Sequence, residues 1–158
     1  GFEPDATGRE NILYRGLLLG LTPKQILSKR DEIIEFAALG DFVDYPIKTY
    51  SSGMLVRLAF AISTAVEGEI LLLDEVVGAG DAGFIKKARN RILDLINNSQ
   101  ILVLASHDFQ TLKEICTRGV VFQQGEIVFD GGIEEAIKYY TAGIALGNSY
   151  VGASLNGG

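Results

Sequence analysis

Two short, unbroken apolar runs, residues 70–73 (Ile-Leu-Leu-Leu) and Ile101–Ala105, each stop abruptly at polar residues. Runs of four to eight apolar residues without polar alternation are the pattern of strands covered on both faces, as in a parallel sheet. Parallel strands need a long crossover between them. Residues 82–97 supply it, because Phe84, Ala88, Ile92, Leu95 and Ile96 fall on one face of a helix. The chain is therefore expected to be an α/β protein built on a parallel βαβ core.

The segments on either side carry clear start and stop signals. Thr7-Gly8-Arg9-Glu10 has capping-box spacing, and the helix it opens should stop at Gly20. Thr22-Pro23-Lys24-Gln25 repeats the signal with proline at the first helical position, and Ile26, Ile33, Ile34 and Ala37 form an apolar stripe that runs until Gly40. Residues 41–50, which include Pro46, read as a loop, and Tyr50-Ser51-Ser52-Gly53 leads into a helix over 54–66. After His107 the pattern predicts a helix over 109–117, a hairpin of 120–123 and 127–129 turning at Gln124-Gly125, and a last helix over 133–140. Residues 142–158, rich in Gly, Asn, Ser and Ala and without periodicity, should be loosely ordered.

Composition narrows the classes of function. With 158 residues, 47% of them hydrophobic, the chain can bury a real core. A net charge of −6 and a pI near 4.8 argue against a nucleic-acid binder, which needs a clustered basic face. Cys116 is the single cysteine, so it makes no internal disulfide, and its setting reads as that of a small buried apolar residue. The longest apolar runs fall far short of the roughly 20 residues of a membrane span. Gly1-Phe2-Glu3-Pro4 resembles neither a signal peptide nor a transit peptide, which makes a reducing cytoplasm the expected setting.

Asp74-Glu75 closes the first apolar run. Two adjacent carboxylates at the end of a buried strand have no packing reason to be there, since an unpaired buried charge costs several kcal/mol. Ligands of open α/β sheets bind beyond the carboxyl ends of the strands, and His107, the chain's one histidine, follows the second run at the corresponding place. Asp74 suits a magnesium ion, a hard cation that keeps several waters and takes one or two carboxylates plus phosphate oxygens. Glu75, one residue further out, can take a proton from an attacking water. His107 can donate to a terminal phosphate as charge develops there. Ser51-Ser52-Gly53 would present amides, a hydroxyl and the positive end of a helix dipole to an anion, although many helices begin with Ser and Gly for capping alone. Gly78-Ala79-Gly80-Asp81 is a turn that by itself reads as punctuation. No segment matches Gly-x-x-x-x-Gly-Lys-Ser/Thr, the loop that cradles phosphates.

Taken in order, these segments resemble the ATP-binding cassette family, the ATPase subunits of ABC transporters. Residues 50–59 are similar to its signature motif, residues 70–75 to Walker B, 78–81 to the D-loop and 106–108 to the H-loop. Phe2, Pro4 and residues 7–11 resemble the start of the family's helical subdomain, so that the likeness runs from Gly1 to about Tyr140. Ser52 and Met54 match the Ser-Ser-Gly-Met variant of the branch that exports O-antigen, capsule or teichoic acid. Residues 76–87 look like the same branch.

The resemblance implies a partial P-loop NTPase fold: a helical subdomain over residues 1–50, the C-terminal part of the ATPase core over 51–141, and the tail. It implies ATP and Mg2+ as cofactors, Glu75 and His107 as catalytic residues and Asp74 at the metal. It also implies two subunits closing head to tail, so that Ser51, Ser52, Gly53 and Met54 meet the nucleotide held by the other subunit, with Gly80 and Asp81 at the dimer interface. A transmembrane permease would be the further partner, which places the subunit on the inner face of the cell membrane. By the same resemblance the phosphate loop and Q-loop would precede Gly1, and this stretch alone should bind ATP poorly or not at all. The other reading of the same residues is a catalytically silent module that binds a partner ABC subunit or permease.

Overall fold

The computed structural model describes residues 1–66, 68–74, 82–145 and 151–157. They divide into a helical unit, Gly1–Glu67 with Val77–Leu95, and a sheet unit, Gly68–Val76 with Ile96–Gly158. The boundary expected at residue 50 therefore shifts: the helix that follows Tyr50 belongs with the helices before it.

In the helical unit both capping boxes form. The Thr7 hydroxyl accepts from Glu10 N at 3.2 Å and the Glu10 carboxylate accepts from Thr7 N at 2.8 Å, opening α1 (Gly8–Leu18). Thr22 and Gln25 repeat the exchange at the head of α2 (Pro23–Ala37), where Pro23 takes the first turn. Helix α2 stops before Gly40 because Ala38 already adopts a left-handed conformation, φ +50°. The expected loop contains two 3-10 turns, Gly40–Asp44 and Ile47–Thr49. Ile47 N donates to Ala6 O and Lys48 N to Pro4 O, both at 3.0 Å, so residues 46–48 lie against residues 4–7. The fully buried Asn11 ties this junction from below: its Oδ1 accepts from Glu3 N at 2.8 Å, and its Nδ2 donates to Glu3 O at 3.0 Å and Thr7 O at 2.9 Å.

Helix α3 (Ser52–Ser63) follows, starting two residues earlier than the pattern predicts. It meets α2 and α4 (Ala82–Asn98) through three phenylalanines: Phe36, Phe60 and Phe84 lie with ring centroids 5.8 Å apart in each pair, one pair stacked and two edge-on. The Lys87 ammonium donates to the carbonyls of Glu35 and Phe36, closing the C-terminal end of α2. The crossover helix thus spends its apolar face, through Ile92, within the helical unit, and Ile96 is its contribution to the sheet core. Periodicity shows that a helix has an apolar face without showing which neighbour receives it.

The sheet unit holds β1 (Ile70–Asp74), β2 (Ile101–Ala105), α5 (Phe109–Ile115), β3 (Arg118–Gln123), β4 (Glu126–Gly132), α6 (Ile133–Ala145) and β5 (Val151–Gly157). Among the described residues the strand order is β1-β2-β5-β3-β4. Strands β1 and β2 are parallel, as expected, and β3 and β4 form the expected hairpin around Gln124 and Gly125, both at positive φ. Leu102, Leu104, Leu112 and Cys116 form the core, with Leu71, Leu73, Ile96, Phe109 and Ile133 packed against them. Cys116 is the small buried residue that its surroundings predicted.

Two expectations are corrected here. The tail is not loosely ordered throughout, because α6 continues to Ala145 and residues 151–157 pair antiparallel with both β2 and β3, Val103 opposite Leu155 and Val120 opposite Ala153. Strand edges need backbone partners whatever the side chains, so a run poor in β-formers can still be drawn into a sheet. Nor are both faces of β1 covered among the described residues: Leu71 and Leu73 pack inward while Ile70 and Leu72 are 59% and 70% exposed. Unbroken hydrophobicity hides an inside and an outside that alternating sequences reveal.

Candidate functional site

In the sheet unit the parallel register runs from Ile70 opposite Ile101 to Asp74 opposite Ala105. The two strands therefore end level, and Asp74 and the segment 106–108 leave the sheet at the same carboxyl end. Both Asp74 and His107 are exposed there. Beyond His107 the chain turns sharply into α5. The Ser106 hydroxyl accepts from Asp108 N at 3.0 Å, and one Asp108 carboxylate oxygen accepts from Gln110 N at 3.0 Å and Thr111 N at 3.4 Å. The other accepts from the Thr111 hydroxyl at 2.6 Å, and Asp108 is the N-cap of α5. These bonds, the Thr111 hydroxyl first, hold the Asp108 carboxyl below its ordinary range. Behind the turn, Ser106 and Phe109 line a small hollow with Leu112, Ile133 and Tyr140, and no charged side chain in its wall could meet a phosphate.

In the helical unit Ser51 caps α3, its hydroxyl accepting from Met54 N at 3.3 Å and its carbonyl from Leu55 N at 3.0 Å. The plain capping role is thus real for Ser51, and the amides of Ser52 and Gly53 are left with no acceptor inside the helix. Ser51 and Ser52 are exposed, Gly53 and Met54 half-buried. The residue before them is fixed firmly: Tyr50 is buried, and its hydroxyl donates to Phe42 O at 2.6 Å. Burial, then the charge of Asp44, pushes this phenol above its ordinary value.

Room for Tyr50 comes from Gly8, where an added Cβ would stand 2.4 Å from the tyrosine hydroxyl and 2.9 Å from Val43 O. Sequence reasoning missed this pair, although a glycine directly after a capping threonine was a signal of close approach. Gly8→Ala should lower the stability of the helical unit by about 1–3 kcal/mol, because backbone as well as side chain must shift. Tyr50→Phe, which loses one hydrogen bond, should cost about 1 kcal/mol. Urea unfolding of the two variants, followed by helical circular dichroism, checks the order, and equal losses would show that the gap at Gly8 is not tight.

Glu75, Gly80 and Asp81 lie outside the described residues, as do Gly78 and Ala79. Among the described residues no group of three or more His, Cys, Asp or Glu side chains could hold a metal ion.

No family model matches the chain. The O-antigen export system ATP-binding protein RfbE of Yersinia enterocolitica is 47% identical over 127 residues, 80% of this chain and 53% of that protein. The teichoic acids export ATP-binding protein TagH of Lactococcus lactis is 41% identical over 140 residues, 89% of this chain and 30% of that protein. The chain belongs to the ATP-binding cassette family. It spans about a third to a half of the length of these curated relatives. A solved ATP binding subunit of an ABC transporter shares the fold with a TM-score of 0.68 over 89% of this chain and 59% of that one, at 16% identity. The partial P-loop NTPase architecture implied by the sequence is therefore the one present over the matched part.

Within this cassette chain the sheet unit brings Asp74 and His107 to the same end of two adjacent strands, and the helical unit presents Ser51, Ser52 and Gly53 at one helix start. Among the described residues no helix is long and apolar enough to cross a membrane.

Proposed function

We propose that the protein is the ATP-binding and ATP-hydrolysing subunit of an ABC transporter that exports a cell-surface polysaccharide of the O-antigen, capsule or teichoic acid kind. The observation that supports the chemistry is the level ending of β1 and β2, by which Asp74 and the segment 106–108 leave the sheet at the same carboxyl end, the end where ligands of such sheets bind. Asp74 would hold a magnesium ion, which would supply neutralising charge at the phosphate oxygens. Glu75 accepts the proton of the attacking water, and His107 donates toward the terminal phosphate. Ser51, Ser52, Gly53 and Met54 meet the nucleotide held by a second copy, with Gly80 and Asp81 at the interface between copies. A transmembrane permease is the other partner, which puts the subunit at the inner face of the membrane; the names of the relatives support this reading.

Gly53 gives a clean test. Among the described residues only Ser51 Oγ, at 4.0 Å, lies near a Cβ built there, and the residue sits in the first turn of α3 with no need for positive φ. Folding alone therefore favours alanine, by up to about 1 kcal/mol. If a phosphate approaches the backbone at Gly53, the methyl group obstructs it. In the full-length subunit, Gly53→Ala should keep or raise the melting temperature and lower Mg2+-dependent ATP turnover at least about tenfold. Unchanged turnover would remove residues 51–54 from the site. A full-length protein that hydrolyses no ATP, with or without its permease, would favour a silent interaction module instead.

A further inference from the structure

We propose that Ser106, Asp108 and Thr111 are positioning residues that hold His107 in its working place, an inference that rests on His107 acting at the terminal phosphate. Only three residues, 106–108, separate the end of β2 from the start of α5. Both flanking elements are anchored in the core, β2 through Leu104, which is 0% exposed, and α5 through Leu112, which is also buried. Between these anchors the backbone is braced on each side of the histidine. The Ser106 hydroxyl reaches over His107 to the amide of Asp108, and Asp108 in turn binds two amides and one hydroxyl of the first turn of α5. Leu112 N completes that turn on Asp108 O at 3.0 Å.

A helix cap alone would explain Asp108, since Asp is among the favoured capping residues. It does not explain the bond from Ser106, which lies before the helix and spans the histidine peptide. Together the two sets of bonds restrict the backbone dihedrals at residues 106–108, and with them the direction in which the Cα–Cβ bond of His107 leaves the chain. A donor must stand within a few tenths of an ångström of its place to act on a phosphoryl transition state. Releasing the brace lets His107 spread over several directions without removing it.

The test is a double-mutant cycle in the full-length ATPase. Asp108→Ala should lower kcat by about ten- to a hundredfold while KM for ATP stays within about twofold, because nucleotide binding does not depend on the aim of one donor. Asp108→Asn, an equally good cap, should recover most of the loss. In a His107→Ala background, Asp108→Ala should lower kcat less than about twofold further, since nothing is left to position. Equal losses in both backgrounds would overturn the proposal and leave Asp108 a structural cap, with the role of His107 intact. Full turnover in His107→Ala alone would overturn the proposal together with the site reading beneath it. Should Asp108→Ala fail to fold, Ser106→Ala takes its place in the cycle, with a smaller loss expected and the same two outcomes deciding.

Discussion

In the full-length subunit, Glu75→Gln is expected to bind ATP as the unchanged protein does and to lose turnover by a factor of about 10²–10⁴, the contribution of a positioned general base. Glutamate and glutamine have nearly the same shape, and both can accept a hydrogen bond from water through the side-chain oxygen. The amide cannot take the proton, so the attacking water stays a weak nucleophile. Asp74 keeps its carboxylate in this variant, and Mg2+-ATP should therefore still bind. Asp74→Asn should do the reverse, weakening magnesium dependence first, because a neutral amide is a poorer partner for a hard cation. Calorimetry with Mg2+-ATP and a phosphate-release assay separate the two variants. Wild-type hydrolysis by Glu75→Gln would take Glu75 out of the reaction.

The readable parts of this site and fold are those written in local chemistry. A threonine three residues before a glutamate or glutamine marks a helix start because both partners of the exchange lie within one turn, and α1 and α2 begin where Thr7 and Thr22 say they do. Gln124-Gly125 marks a hairpin for the same reason. That Asp74 and the turn at His107 leave the sheet at the same end could be read from sequence, because each follows an apolar run and parallel neighbours in register end at one level.

What escaped was long-range. No pattern within residues 151–157 announces β5, because its partners are the free edges of β2 and β3 and not its own side chains. The face of α4 is plain in Phe84, Ala88 and Ile92, yet its neighbours Phe36 and Phe60 are far away in the chain. Tyr50 looks like part of a polar loop until Gly8 and Phe42 O are found around it.

Asn11 is where such a long-range tie should cost most when cut. It is 0% exposed, a polar side chain in a region where polar groups stay only when they are hydrogen-bonded. Its amide links α1 to Glu3 and Thr7, and it also reaches Ala6 O at 3.3 Å. Asn11→Ala leaves Glu3 N without its acceptor and opens a small void, and the two together should cost the helical unit about 2–4 kcal/mol. Thr7→Ala, which removes only an exposed cap, should cost about 1 kcal/mol and serves as the reference. The effect should reach the site, because residues 4–7 hold residues 46–48, which lead straight into Tyr50 and Ser51. Hydrogen exchange on the full-length Asn11→Ala variant should therefore show lost protection at Lys48 and Met54 as well as in α1. Protection unchanged at Met54, with α1 loosened, would mean that the start of α3 is held by Tyr50 alone.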